Sequence, residues 1–299
     1  MVIDMKMRRT IRVGSRESKL AVEQTMLLVN QIKACHPELT VELITMKTTG
    51  DRILDRRLDQ AGGKGLFVKE LDQALADGKI DLSVHSLKDM PMEENRELPI
   101  VAYSTRGDPR DALVLPQNSG GFYTDRIGTS SLRRSLQLSS LFPEAETKLV
   151  RGNVLTRLQK LDAGEYTALI LAASGLSRLG LSGRISRYFS TDEIIPAAGQ
   201  GILAVQGRKG EDYVFLDCIR SELSKAAALA ERGFVSFLEG GCSSPVAAYA
   251  EVSGQEIRLS GLYFEEESAQ YTTGRITGDV ENARKLGEEL AERLRREGV

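Results

Sequence analysis

Ile127-Gly128-Thr129-Ser130-Ser131-Leu132-Arg133-Arg134 reads as the end of a strand, a loop of small residues and the start of a helix. The same kind of junction recurs upstream. Val13-Gly14-Ser15-Arg16-Glu17-Ser18 follows a strand candidate at residues 11–13 and opens a helical pattern over 18–33, carried by Leu20, Ala21, Leu27, Leu28 and Ile32. A strand pattern at 41–46 and a helix over 66–76 lead to a third strand at 82–84, which delivers His85 to Asp89 at its C-terminal end. Beyond residue 127 the alternation resumes. A strand at 148–150 is followed by a helix from Asn153 that stops at Gly164, then by a strand at 168–172 leading into Ser174-Gly175. Such alternation predicts an α/β fold with parallel or mostly parallel sheets and helices on both faces.

Two connectors rich in Gly, Pro and small residues divide this pattern, at 104–109 and at Ile195-Pro196-Ala197-Ala198-Gly199-Gln200-Gly201. Two crossings imply two α/β lobes around a cleft, with the chain returning to the first lobe near residues 202–205. From residue 221 the texture changes to a long alanine-rich helix, alternating strands over 247–277 and a charged amphipathic helix over 282–297. The expected division is residues 1–104 with 199–220 as the first lobe, 105–198 as the second, and 221–299 as a small C-terminal α+β domain.

The chain has 299 residues, 41% apolar and 27% charged, with a net charge of −2. That balance gives no reason to expect a nucleic-acid partner. Residues 168–173, the best apolar run, fall far short of the roughly 20 a membrane span needs. No hydrophobic region follows the basic N-terminal residues, so the chain reads as cytoplasmic. The three cysteines include no close pair, which argues against a disulfide framework or a CxxC metal knuckle. Only His36 and His85 are present. A histidine-rich metal centre or a Ser-His-Asp machine has little to draw on.

The junctions suit an anion. Free N–H groups and the dipole at a helix start favour negative charge, and Arg133 and Arg134 bring guanidinium forks matched to carboxylates. Arg16, Arg151, Arg157 and Arg178 stand at or one turn beyond comparable junctions. In an open α/β sheet ligands bind outside the carboxyl ends of the strands, so these arginines predict a multiply anionic ligand. Each junction taken alone reads as a capped helix with solvated arginines. Residues 62–67, Gly-Gly-Lys-Gly-Leu-Phe, fail as a Walker motif because no Ser or Thr follows Lys64. Asp89 lies in a sharp turn beside Lys88 and Pro91 and suits either a surface ion pair or proton and charge management. Cys35 and Cys218 are expected to be small buried hydrophobes, whereas Cys242, on a loop after Gly240-Gly241, suits a covalent role. A two-lobed anion-binding protein and a cysteine-nucleophile transferase are the competing readings. The first explains the arginines but not the absence of an export signal or the cysteine loop, and the second lacks a positionable histidine, since His85 would have to serve.

Residues 84–91 (Val-His-Ser-Leu-Lys-Asp-Met-Pro), 62–67, 128–134, Arg151-Gly152-Asn153 and 196–201 closely resemble the porphobilinogen deaminase family, also called hydroxymethylbilane synthases. Glu239-Gly240-Gly241-Cys242 is similar to that family's cofactor-attachment loop. The motifs run in order from about residue 12 to 249. The resemblance implies two lobes like those of periplasmic binding proteins around a cleft, with a third, C-terminal domain. It implies a dipyrromethane cofactor held by a thioether at Cys242. Four porphobilinogen units would be deaminated and added head to tail to that primer, and a linear tetrapyrrole for haem synthesis then released by hydrolysis. By the same resemblance Asp89 is the catalytic carboxylate. Ser18, Lys88, Asp89, Ser131, Arg133, Arg134 and Arg157 match positions that hold the cofactor. Arg16, Lys64, Phe67, Arg151, Arg178 and Gln200 match positions that meet the substrate. No metal is implied, and a monomer without nucleic-acid or membrane partners is expected. The chain departs from the pattern at Ser243-Ser244, where many relatives carry Gln-Val, and at an alanine in Pro196-Ala197-Ala198-Gly199, where valine is common.

Overall fold

The computed structural model describes residues 10–53, 65–117, 124–240, 245–265 and 270–297. In chain order the first elements are β1 (Thr10–Arg16), α1 (Lys19–Cys35), β2 (Thr40–Met46), a short α2 (Thr49–Arg52), α3 (Lys69–Ala76), β3 (Leu82–Ser86) and β4 (Ile100–Tyr103). β5 (Asp111–Val114), β6 (Arg126–Gly128), α4 (Leu132–Leu141), β7 (Glu146–Lys148), α5 (Val154–Asp162), β8 (Ala168–Ala172), α6 (Ala173–Arg178) and β9 (Ile185–Tyr188) follow. β10 (Leu203–Gln206) then precedes the C-terminal elements.

These strands make two five-stranded sheets, ordered β2-β1-β3-β10-β4 and β7-β6-β8-β5-β9. Each has a parallel trio (β2-β1-β3 and β7-β6-β8) beside one antiparallel strand, β10 or β5, contributed where the chain crosses between the sheets. The sheets are therefore mixed. α1 buries Leu28 and Val29, with Ile32 one turn on, against Ile11, Val13 and Val84 of the first sheet. Ser18 caps it, its hydroxyl accepting from the Ala21 amide. α4 and α5 are capped in the same way by Ser131 and Asn153.

Three local expectations shift. The helix expected from residue 66 begins at Lys69, because Gly65 sits at φ +78° and residues 65–68 form a turn. The strand expected at 148–150 lies at 146–148, on the sheet edge, where exposed polar residues leave no apolar signal. Cys35 and Cys218 are both exposed, not buried, because the helical residues that pack there are their apolar neighbours Ile32, Leu216 and Ile219.

α7 (Glu222–Phe237), β11 (Ala247–Ser253), β12 (Glu256–Glu265), β13 (Gln270–Asp279) and α8 (Ala283–Glu297) complete the chain as an antiparallel three-stranded sheet against two helices. Phe234, Leu259, Leu290 and Leu294 are wholly buried between them.

The crossings touch each other. Gly107 N–H donates to Gly201 O at 3.0 Å, and Ser104 N–H donates to Leu203 O at 2.9 Å. Gly201, at φ +91°, has no room for a side chain, since a Cβ would lie 2.7 Å from Gly107 O. Both crossings are also held to the C-terminal domain by one carboxylate. Glu231 of α7, 0% exposed, takes two bonds from Arg106 at 2.7 Å and one from the Gly199 amide at 2.7 Å. It also accepts from the Ala250 amide of β11 at 2.8 Å.

Candidate active site

A cleft of about 760 Å³ opens between the carboxyl edges of the two sheets. Its first wall comes from the turn after β3. Leu87–Asp89 form a single 3-10 turn, pinned where Leu87 N–H donates to Ile202 O at 3.0 Å. Gly199 passes so close that a Cβ there would meet Leu87 Cγ at 2.7 Å. The turn therefore presents Lys88 and Asp89 to the cleft from a fixed base.

Lys88 Nζ donates to Gln200 Oε1 at 3.2 Å. Burial, then the charges of Arg134 and Arg133 against those of Asp89 and Asp111, bring its ammonium down to about 8. Gln200 in turn donates to Pro109 O at 2.7 Å and to Asp111 Oδ1 at 2.9 Å.

Asp111 was not among the expected site residues. It is 0% exposed at the start of β5, against the carboxyl end of β8. Arg134 donates to its Oδ1 through Nε at 3.1 Å and Nη2 at 2.7 Å, and Arg133 Nη2 lies 2.8 Å from Oδ2. Burial pushes the Asp111 carboxyl up, but Arg133, Arg134 and the Gln200 amide outweigh it and hold it well below the usual range. Arg133 and Arg134, 3% and 7% exposed, are thus not solvated. Arg133 Nη1 donates to Ile195 O and Arg134 Nη1 to Ile170 O. A charged residue directly before the apolar stretch Ala112-Leu113-Val114 was the available sequence signal, since buried carboxylates are seldom unpaired.

The other expected residues split into two groups. Arg16, at the end of β1, is ion-paired with Asp51 and stacks over Phe67 at 4.1 Å, so two expected substrate contacts meet each other. Burial raises Asp51 and Arg16 more than compensates, leaving it lowered. Arg151 reaches across the cleft to Ile53 O at 3.2 Å. Arg157 and Arg178 differ. They donate to backbone carbonyls, Gly152 O at 2.8 Å and Gly201 O at 2.6 Å, and among the described residues neither has a carboxylate in salt-bridge range. Burial brings both guanidiniums down to about 10, with Arg134 and Arg151 adding to the effect at Arg157.

Ser18 and Ser131 line the same cleft at their helix starts. Lys64 and Cys242 lie outside the described residues. Val235 and Val246, on either side of the cysteine loop, line the cleft. His85 does not. It is buried, bonded to Ser83 Oγ at 2.9 Å, and burial with Arg16 nearby takes it down to about 4, so it is neutral at pH 7. No helix among the described residues is long and apolar enough to cross a membrane.

Comparison with known proteins accounts for almost the whole chain. Residues 11–215 match the porphobilinogen deaminase dipyrromethane cofactor binding domain, and residues 225–296 match the porphobilinogen deaminase C-terminal domain. Porphobilinogen deaminase of Ruminiclostridium josui is 55% identical over 287 residues, covering 96% of this chain and 98% of the relative. That of Acetivibrio thermocellus is 53% identical over 282 residues, covering 94% and 96%. Among solved structures, the BenM effector binding domain with benzoate aligns at 16% identity and a TM-score of 0.42, covering 70% of this chain and 88% of that one. The chain belongs to the porphobilinogen deaminase family and carries that family's dipyrromethane-cofactor-binding domain.

Proposed function

We propose that this chain is the transferase that deaminates four porphobilinogen units, joins them head to tail on a dipyrromethane primer thioether-linked to Cys242, and releases linear hydroxymethylbilane by hydrolysis. It acts as a cytoplasmic monomer, without nucleic-acid or membrane partners. Residues 1–104 with 199–220, 105–198, and 221–299 are the three domains that serve this reaction.

The observation that carries the reading is the pair Arg157 and Arg178, half-buried cations that hydrogen-bond to carbonyls and have no carboxylate in salt-bridge range among the described residues, in a cleft that Asp89 also lines. Partly desolvated guanidiniums gain from a close anion, and carboxylate substituents on pyrroles would supply one. The donor set therefore fits a dipyrromethane bearing acetate and propionate groups. When bound, the cofactor supplies the pyrrole end to which each new unit is joined.

The protein's own groups do the rest. Asp89 manages the proton of the departing amine and stabilises the positive charge spread over the pyrrole nitrogens. Ser18, Lys88, Ser131, Arg133, Arg134 and Arg157 hold the cofactor. Arg16, Lys64, Phe67, Arg151, Arg178 and Gln200 receive the substrate. Asp111 orients Arg133 and Arg134 as a positioning residue, so that their planes are set before any ligand arrives.

The deciding experiment is intact mass of the purified protein beside its Cys242→Ser variant. An excess of two pyrrole units in the first and none in the second supports the assignment. The same excess in both would move the primer to another residue. Unmodified protein that stays unmodified on addition of porphobilinogen would overturn the reading.

A further inference from the structure

Far from the cleft, two thiols share the rim of one packing contact. Cys35 is the last residue of α1, and Cys218 lies in the 3-10 segment Val214–Ile219; both are exposed. α1 places Leu28, Val29 and Ile32 in the same core cluster as Leu216 and Ile219. Cys35 is three residues beyond Ile32, about one turn, so it continues the face that packs on the segment holding Cys218. The Cys218 thiol lies 3.5 Å from Phe215 O and also interacts with the Cys35 thiol. Burial first, and that neighbouring thiol next, push the Cys218 sulfhydryl up to about 11.

We propose that Cys35 and Cys218 form a reversible redox modification site, closing to an intramolecular disulfide when a low-molecular-weight disulfide of the glutathione class is the oxidant. Attack begins at Cys35, because the Cys218 thiol is engaged with Phe215 O and the thiolate is the nucleophile. The Cys35 sulfur displaces one small thiol and forms a mixed disulfide. Cys218 then gives up its proton, and its sulfur attacks the Cys35 sulfur and expels the second small thiol. One small disulfide is reduced to two thiols, and the protein loses two hydrogens. The bond ties the far end of α1 to the segment that leads into α7, away from Asp89 and the arginines.

The test uses the full chain treated with oxidised glutathione, digested without reductant and mapped by mass. A linked peptide pair containing Cys35 and Cys218, lost on adding dithiothreitol and accompanied by a rise in Tm of the intact protein, is the expected result. Cys35→Ser and Cys218→Ser should each keep wild-type porphobilinogen turnover and gain a single glutathione adduct at the remaining thiol. Separate glutathione adducts on both cysteines with no linked pair would overturn the proposal. So would two untouched thiols after a free-cysteine peptide in the same tube has been consumed.

Discussion

The two five-stranded sheets share one topology, yet the first residue of the antiparallel strand is Leu203 in one and Asp111 in the other. Leu203 faces Ser86 at the end of β3, and Asp111 faces Ala172 at the end of β8. Both positions are fully buried. In the first lobe the position is part of an apolar core with Val84, Ala102 and Val205. In the second it is a carboxylate gripped by Arg133 and Arg134. The same scaffold thus serves two tasks. One lobe presents a carboxylate, Asp89, on a turn in the cleft. The other buries a carboxylate to arm the cations.

The difference can be broken most severely at Asp89. Asp89→Asn should lower porphobilinogen turnover by about 10²–10⁴-fold, the usual scale for a positioned proton-transfer group. Urea midpoint and primer mass should stay at the wild-type values. Full activity would remove Asp89 from the chemistry.

Asp111→Asn should do the reverse and act first on folding. Breaking a buried ion pair by removing one partner costs about 3–5 kcal/mol, readable in urea unfolding. Because the folded carboxyl is held low, its stabilisation is complete above the usual aspartate range and falls as pH drops toward the folded value. The variant should lose that acid-side slope. As the control, Leu203→Ala should cost about 2–5 kcal/mol with no such slope.

Lys88 sharpens the contrast within the first lobe. Its charge should disappear as pH rises through about 8, so the hold on the cofactor should loosen and porphobilinogen turnover should fall there. Lys88→Arg should carry that fall to higher pH. The same shift has the opposite sign for folding. Between about 8 and the free value of 10.5 the unfolded chain keeps a proton that the folded one has lost, so stability rises with pH.

The smallest effect is expected at Asp51, which competes with any ligand for Arg16. Asp51→Asn should lower KM by a factor of about five, on the order of 1 kcal/mol. An unchanged KM would show that Arg16 stays committed to Phe67.

Strand–loop–helix junctions were legible because their signal is local: an apolar run, small residues, a cap and arginines within one turn. The return of β10 to the first sheet was legible for the same reason, from its apolar run after a Gly-rich connector. The partners of those arginines were not. Asp111 lies 22 residues from Arg133, which the pairing brings together at 2.8 Å, and no periodicity encodes that. Arg106 and Glu231 are 125 residues apart and meet at 2.7 Å. Exposure of Cys35 and Cys218 was misread because thiols are apolar by composition, while their position on the rim depends on which neighbours fill the core.

The grip of Glu231 on both crossings has a mechanical consequence. α7 continues from Glu231 to Phe237, about 9 Å of rigid helix, and ends just before the cysteine loop. The residue that ties the two crossings together and the stem leading to the proposed anchor Cys242 therefore belong to the same helix. Any turning of one sheet on the other about those crossings would pivot at the base of the helix from which the proposed anchor hangs.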